Sequence, residues 1–180
     1  KMKSMKKILA FAGSNSKKSI NHQLVLAVSK LNVDLQIDVI NLTDYSAPLF
    51  GVDLLEESGI PPQIVELSDK MKEYDGFLVS IAEHNGSMTA FLKSTFDWLF
   101  KKEQKFFFNK PSVFISTAPG PRGGASALKH IVEIMPYRGA QVIGNYSVGS
   151  FSEKVLNGEI TDQDSKDELT KLLVDLKDKI

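Results

Sequence analysis

Three stretches of the chain concentrate small polar side chains and glycine: GSNSKKSIN (residues 13–21), AEHNGSMT (82–89) and STAPGPRGG (116–124). The first places Ser14, Ser16, Ser19 and Asn21 around two lysines, just ahead of a run with helical period. Backbone N–H groups at a helix start lack intrahelical acceptors and sit at the positive end of the helix dipole, so an anion is favoured there. Hydroxyl and amide groups beside them add donors. A plainer use is open to the same residues, with Ser19 or Asn21 capping the helix and the lysines solvated. The clustering of hydroxyls favours the anion.

The kind of anion is narrowed by what the loop lacks. Gly13 is its single glycine, so the dinucleotide fingerprint G-x-G-x-x-G is absent, and Lys18 stands where the Walker pattern needs its second glycine. A terminal monophosphate therefore suits this loop better than a bridging pyrophosphate or a triphosphate, and FMN carries one. The other two loops offer Glu83, His84, Asn85 and Gly86, and then Gly120, Arg122, Gly123 and Gly124. Glycine lets the main chain approach a planar ring and present N–H donors to its edge, although a GG pair taken alone reads equally as a turn. Other chemistries fit poorly. There is no G-x-S-x-G nucleophile elbow and no H-x-x-x-H spacing, the three histidines (His22, His84, His130) are scattered, and no metal site is expected. A phospho-receiver would need acidic residues after the first strand and an aspartate after the third, where this chain reads GSNS and AEHN.

The elements that position these loops follow from the periodicity. Short, nearly continuous apolar runs at residues 7–12, 36–42, 76–81, 112–117 and 141–148 predict parallel strands covered on both faces. Between them, Leu24, Ala27, Val28 and Leu31 share one helical face. So do Ile64, Leu67, Met71 and Tyr74; Phe91, Thr95 and Leu99; Leu128, Ile131, Val132 and Met135; and Leu169, Leu172, Leu173, Leu176 and Ile180. Five strands alternating with five helices give an α/β doubly wound sandwich of flavodoxin-like architecture, with a five-stranded parallel sheet in the order 2-1-3-4-5 and helices on both faces. Ligands bind such a sheet beyond the carboxyl ends of its strands, where the order reverses. The three polar loops follow strands one, three and four, while connections at the opposite edge, such as 31–35 and 74–75, are short.

With 180 residues and 42% hydrophobic content, the chain is expected to form one domain over 1–180, with residues 1–5 outside its folded part. Its 22 basic and 22 acidic residues balance, which removes the broad electrostatic case for nucleic acid or an anionic membrane. The absence of cysteine excludes thiolate catalysis and cysteine-ligated metal, and fits a reducing, cytoplasmic compartment. The start KMKSMKKILAFA has the charge of a signal peptide but too short an apolar stretch. No apolar run approaches the roughly 20 residues of a membrane span, so a soluble protein is expected.

Taken together, GSNSKKSIN, AEHNGSMTAFLKSTFDWL and STAPGPRGGASALKHI, in that order, resemble the NAD(P)H-dependent FMN reductase family, a flavodoxin-like group that includes azo-, quinone- and chromate-reducing enzymes. The similarity runs from Lys6 to about Gly149 and includes APLFGVDLLEESGIPPQIVELSDKM. It implies a phosphate site at Ser14, Ser19 and Asn21, with Ser16 and Ile20 of the same loop among the cofactor contacts. It also implies isoalloxazine contacts from Glu83, His84, Asn85 and Gly86, and a closing wall from Ser116 through Gly120, Arg122, Gly123 and Gly124. Three positions depart from the family's usual residues: Ser16 stands in place of arginine, and Ala82 and His84 in place of proline and tyrosine. Neutralising the phosphate would then fall to Lys17 or Lys18. Lys93, Asp97 and Trp98 also match the pattern, but the first two read as a helix-surface i, i+4 pair and Trp98 as packing or an interface anchor.

The function implied is an FMN-dependent oxidoreductase that takes a hydride from NADPH or NADH and reduces a small acceptor such as a quinone, an azo compound or a free flavin. Backbone amides or Arg122 would stabilise negative charge on the ring, and no side-chain general base is expected. A homodimer or homotetramer is implied, to which Phe106, Phe107 and Phe108 would contribute if exposed; they read equally as core. The rival reading is a flavodoxin-type single-electron carrier without pyridine-nucleotide activity, whose acidic flavin surround PGPRGG matches poorly. A flavin-free scaffold of the same architecture is a third.

Overall fold

The structure is a computed structural model that describes residues 5–31 and 33–180. Of the segment 1–5 expected to fall outside the fold, residues 1–4 lie outside this description, as does Asn32 in the connection 31–35. In chain order the elements are β1 (Lys7–Ala12), α1 (Ile20–Ser29), β2 (Gln36–Val39), α2 (Val52–Ser58), α3 (Pro62–Lys72), β3 (Gly76–Ile81), β4 (Glu83–His84), β5 (Ser87–Met88), α4 (Ala90–Lys102), β6 (Lys110–Thr117), α5 (Ala125–Ile134), β7 (Ala140–Val148), α6 (Phe151–Lys154), β8 (Val155–Leu156), β9 (Glu159–Ile160) and α7 (Gln163–Asp178). The main sheet runs β2-β1-β3-β6-β7 and is parallel throughout. Counting only its own strands, the order is the expected 2-1-3-4-5, and the fold is flavodoxin-like.

The period-2 alternation of the central strands builds two cores. Leu9, Phe11, Phe77, Val79 and Phe114 face α3, α4 and α5, where they meet Leu67, Leu92, Leu99 and Ile131. Their neighbours Ile8, Ala10, Leu78, Val113 and Ile115 face α1 and α7, where they meet Leu24, Val28, Leu169 and Leu173. Phe106 and Phe107 are fully buried, and the Phe107 ring packs edge-on against Phe77 at a centroid distance of 5.1 Å. Of the two uses open to the phenylalanine run, the core holds for this pair.

Several expectations need correction. The second strand ends at Val39 rather than residue 42, because Leu42–Tyr45 form a 3₁₀ turn capped by Asn41, whose side chain accepts from the Thr43 N–H. On α4 the expected Thr95 and Leu99 are buried, together with Leu92, Ser94, Phe96 and Trp98, while Phe91 is only partly buried against the same core. Trp98 is fully buried, with its indole N–H donating to the Pro48 carbonyl at 2.8 Å, so it packs inside the protomer. Beyond the five expected helices are α2, none of whose residues is buried, and the single turn α6.

Candidate functional site

The loop from Gly13 to Ser19 is shaped by its own hydroxyls. Ser14 Oγ accepts from the Ser16 N–H at 3.2 Å, Ser16 Oγ from the Lys18 N–H at 3.3 Å, and Ser19 Oγ from the His22 N–H at 3.1 Å. Ser19 is thus the N-cap of α1. Each hydroxyl serves as an acceptor in these bonds, which leaves its own proton to donate to an anion. The N–H groups of Ile20 and Asn21, in the first turn of α1, have no acceptor within their own helix. Gly13 anchors the loop. Its N–H donates to the Ser80 carbonyl at 2.8 Å, its carbonyl accepts from Thr89 Oγ1 at 2.8 Å, and a Cβ there would fall 2.4 Å from Leu92 Cδ2.

After β3 the chain makes a tight hairpin in place of an open loop. β4 and β5 pair antiparallel across Asn85 and Gly86, both with positive φ (52° and 78°), the signature of a type I′ turn. A Cβ at Gly86 would meet no protein atom within 4 Å, and its φ of 78° is what the turn requires of this glycine. Glu83, at the base of the hairpin, sends its Oε2 to the N–H of Ala127 at 2.9 Å. Gly124, the N-cap of α5, has no side chain to offer, so the carboxylate of another element caps that helix and complements its dipole.

The loop after β6 folds over Ser116. The buried Ser116 Oγ donates to the Gly123 carbonyl at 2.7 Å and lies 3.2 Å from Ser147 Oγ. Gly123 has φ +60°, and a Cβ there would collide with Ser147 Oγ (2.6 Å) and the Gly149 nitrogen (2.7 Å), so the loop is seated on the end of β7. Gly120 is unconfined. The exposed Arg122 donates from its guanidinium to Ser126 Oγ.

These three segments meet at the carboxyl ends of β1, β3 and β6 and enclose a cleft of about 300 Å³. Ser14, Ser16, Ser19, Ile20, Asn21, Glu83 and His84 all line it, together with Lys18, Ala82, Thr117, Ala118 and Pro119. The other expected residues are not part of its lining: Asn85 and Gly86 form the exposed hairpin tip, Ser116, Gly123 and Gly124 are buried, and Gly120 and Arg122 are on the outer face of their loop. Lys17 instead lines a second cavity of about 150 Å³, which shares Ser14, Ser16 and Ser19 with the cleft and reaches Asn41 and Thr43. Two expected contacts are also used differently from the expectation. The Glu83 carboxylate caps α5, and the Asn21 amide bonds Ser80 and Thr117. Sequence reasoning missed Ser80 and Thr89. Ser80 is the lone polar residue of the strand GFLVSI, and Thr89 is the N-cap of α4, bonded to the Leu92 N–H. Among the described residues no group of three or more His, Cys, Asp or Glu could hold a metal ion, and no helix is long and apolar enough to cross a membrane.

The sheet order and the cleft at its reversal define a flavodoxin-like α/β protein with a polar, loop-built cleft. Comparison with known proteins narrows the class: residues 6–153 match the model of the family described as NADPH-dependent FMN reductase, and the chain belongs to that family. It is 26% identical over 169 residues to a quinone reductase of Escherichia coli K12, spanning 91% of this chain and 89% of that protein. An NADPH:quinone oxidoreductase of Arabidopsis thaliana is 27% identical over 185 residues, spanning 98% and 92%. Among solved structures, FerB, a flavoenzyme NAD(P)H:(acceptor) oxidoreductase from Paracoccus denitrificans, superposes with a TM-score of 0.78 over 97% of both chains at 23% identity, a likeness of fold.

Proposed function

We propose that the protein is an FMN-dependent oxidoreductase that takes a hydride from NAD(P)H and reduces a small acceptor of the quinone, azo or free-flavin type. The observation that carries the reading is the single cleft into which the hydroxyl loop, the hairpin and the loop after β6 all open. Its donor set fits FMN: three serine hydroxyls with protons to give and first-turn N–H groups of α1 suit a dianionic monophosphate, and apolar and main-chain walls at Ala82, Ala118 and Pro119 suit a planar ring. When bound, FMN would supply two-electron chemistry, taking the hydride of NAD(P)H and returning both electrons to the acceptor, with protons from solvent. The residues of the chain do the rest. Ser14, Ser16 and Ser19 orient the phosphate, and Lys18, which lines the cleft where Lys17 does not, neutralises it. The hairpin at His84 and the wall at Thr117, Ala118 and Pro119 confine the ring. Arg122, held by Ser126, is a cation at the outer side of that wall for negative charge on the ring or the nucleotide.

We place the enzyme in the cytoplasm, in keeping with a chain free of cysteine, and read it as a homodimer or homotetramer. Exposed apolar side chains beside the site support the assembly: Leu49 is 76% exposed and Val52 56%, and Leu49 shares a cavity with Asn15 of the first loop. One cleft must serve nicotinamide and acceptor in turn. Initial rates against NADPH at several fixed quinone concentrations should therefore give parallel double-reciprocal lines; intersecting lines would oppose the reading.

A further inference from the structure

The ladder between β3 and β6 ends at the pair Ile81 and Ser116, so Thr117, the next residue of β6, has no β3 residue opposite it. Asn21 fills that place. Its Oδ1 accepts from the Thr117 N–H at 3.1 Å and its Nδ2 donates to the Thr117 carbonyl at 3.0 Å, so one side-chain amide pairs with both main-chain groups as a strand residue would. Ser80 Oγ, on β3, donates to the same Oδ1 at 2.8 Å. Asn21 itself is only 4% exposed, and Ser80 and Thr117 are buried. Three elements separated by 59 and 96 residues in sequence are joined here by one amide in a region without solvent to replace it.

We propose that Asn21 is a positioning residue that sets the distance between the two walls of the cleft. Resting on the reading of that cleft as the flavin site, its amide ties the first turn of α1, where the phosphate is held, to Thr117, from which Ala118 and Pro119 run on to confine the ring. Removing the amide strands the Thr117 N–H and carbonyl in the interior, and buried main-chain groups without partners are strongly disfavoured. The chain responds by letting water in or by moving the loop after β6 away from α1. In either case the phosphate end and the ring end of the site lose their registration together. A direct phosphate ligand would behave differently, since its loss touches the phosphate alone.

FMN and riboflavin, which lacks the phosphate, separate the two roles. In Asn21→Ala both flavins should bind more weakly by about tenfold or more, and the Thr117 amide, protected from hydrogen exchange in the parent, should exchange faster. Ser80→Ala removes one of the three bonds and keeps the amide, and should give the same pattern at smaller amplitude should Asn21→Ala fail to fold. Leu176→Ala, destabilised beside Gly76 at the amino end of β3, the end opposite the cleft, should leave both affinities within about twofold of the parent under conditions where it remains folded. Weakening of FMN with riboflavin unchanged would make Asn21 a phosphate ligand and overturn the proposal, as would undiminished protection of Thr117 or an equal loss in Leu176→Ala. A parent that binds neither flavin would remove the functional reading, and the exchange of Thr117 would then decide the role of Asn21 by itself.

Discussion

The carboxylate of Glu83 caps a helix that begins 42 residues after it: its Oε2 lies 2.9 Å from the N–H of Ala127, the third residue of α5. This bond fastens the His84 hairpin to the first turn of α5, the helix that follows the loop after β6. Glu83→Ala should lower the free energy of unfolding by about 1 kcal/mol, as loss of a helix cap does. Glu83→Gln keeps an acceptor but gives up the charge on the helix dipole, and should cost about half as much. Urea denaturation measures both; a Glu83→Ala protein as stable as the parent would show the cap to be immaterial.

Ser19 caps α1, and in the proposed function it also donates to the phosphate. Ser19→Ala should weaken FMN binding by about tenfold, the cost of a lost hydrogen bond to a charged group, and should also lower stability by about 1 kcal/mol. Fluorescence titration with FMN and a urea curve separate the effects. An unchanged affinity beside a lowered stability would leave Ser19 as a cap only.

The three polar loops were legible because hydroxyls and glycines gather at the carboxyl ends of strands that apolar runs already announced. The use of individual side chains was harder to see. Asn21 and Glu83 carry groups that suit a ligand and an internal network equally, and the partners they have in the fold, Thr117 and Ala127, are residues distant in sequence. The buried face of α4 was legible at Thr95 and Leu99, but Phe91 is only partly buried because Leu92, about 100° further round the helix, takes the inward position. The hairpin at Asn85 and Gly86 was within reach, since Asn-Gly is the preferred type I′ turn; the same pair recurs at Asn157 and Gly158, between β8 and β9, with φ of 51° and 75°.

Glycines in the loop after β6 should not respond alike. Gly123→Ala would have to hold φ near +60° and push a methyl into the Ser147 hydroxyl and main chain at Gly149, so it should destabilise by about 1–3 kcal/mol and displace the loop. Gly120→Ala, with open space around it and no positive φ, should fall within about 0.5 kcal/mol of the parent. Thermal or urea unfolding of the two variants checks the contrast, and equal stabilities would contradict the seating of the loop on β7.

Alkaline stability should report on Tyr74. Burial, and then its hydrogen bond of 3.0 Å to Asp38, push the phenol up to about 12. Its unfolded value is about 10, so the folded protein holds the proton more tightly. The stabilisation is complete below about pH 10 and is lost as pH rises through about 12. Unfolding free energies measured across that range should fall less steeply for Tyr74→Phe than for the parent; parallel pH profiles would rule Tyr74 out as the cause.

The most direct test of the account is the absorbance of the FMN-loaded protein after addition of NADPH, and separately NADH, without oxygen. The account predicts that at least one of the two bleaches the yellow colour of the bound flavin, and that a quinone added afterwards restores it. Persistent yellow colour in the presence of both nucleotides would contradict hydride transfer in this cleft and favour a carrier of single electrons.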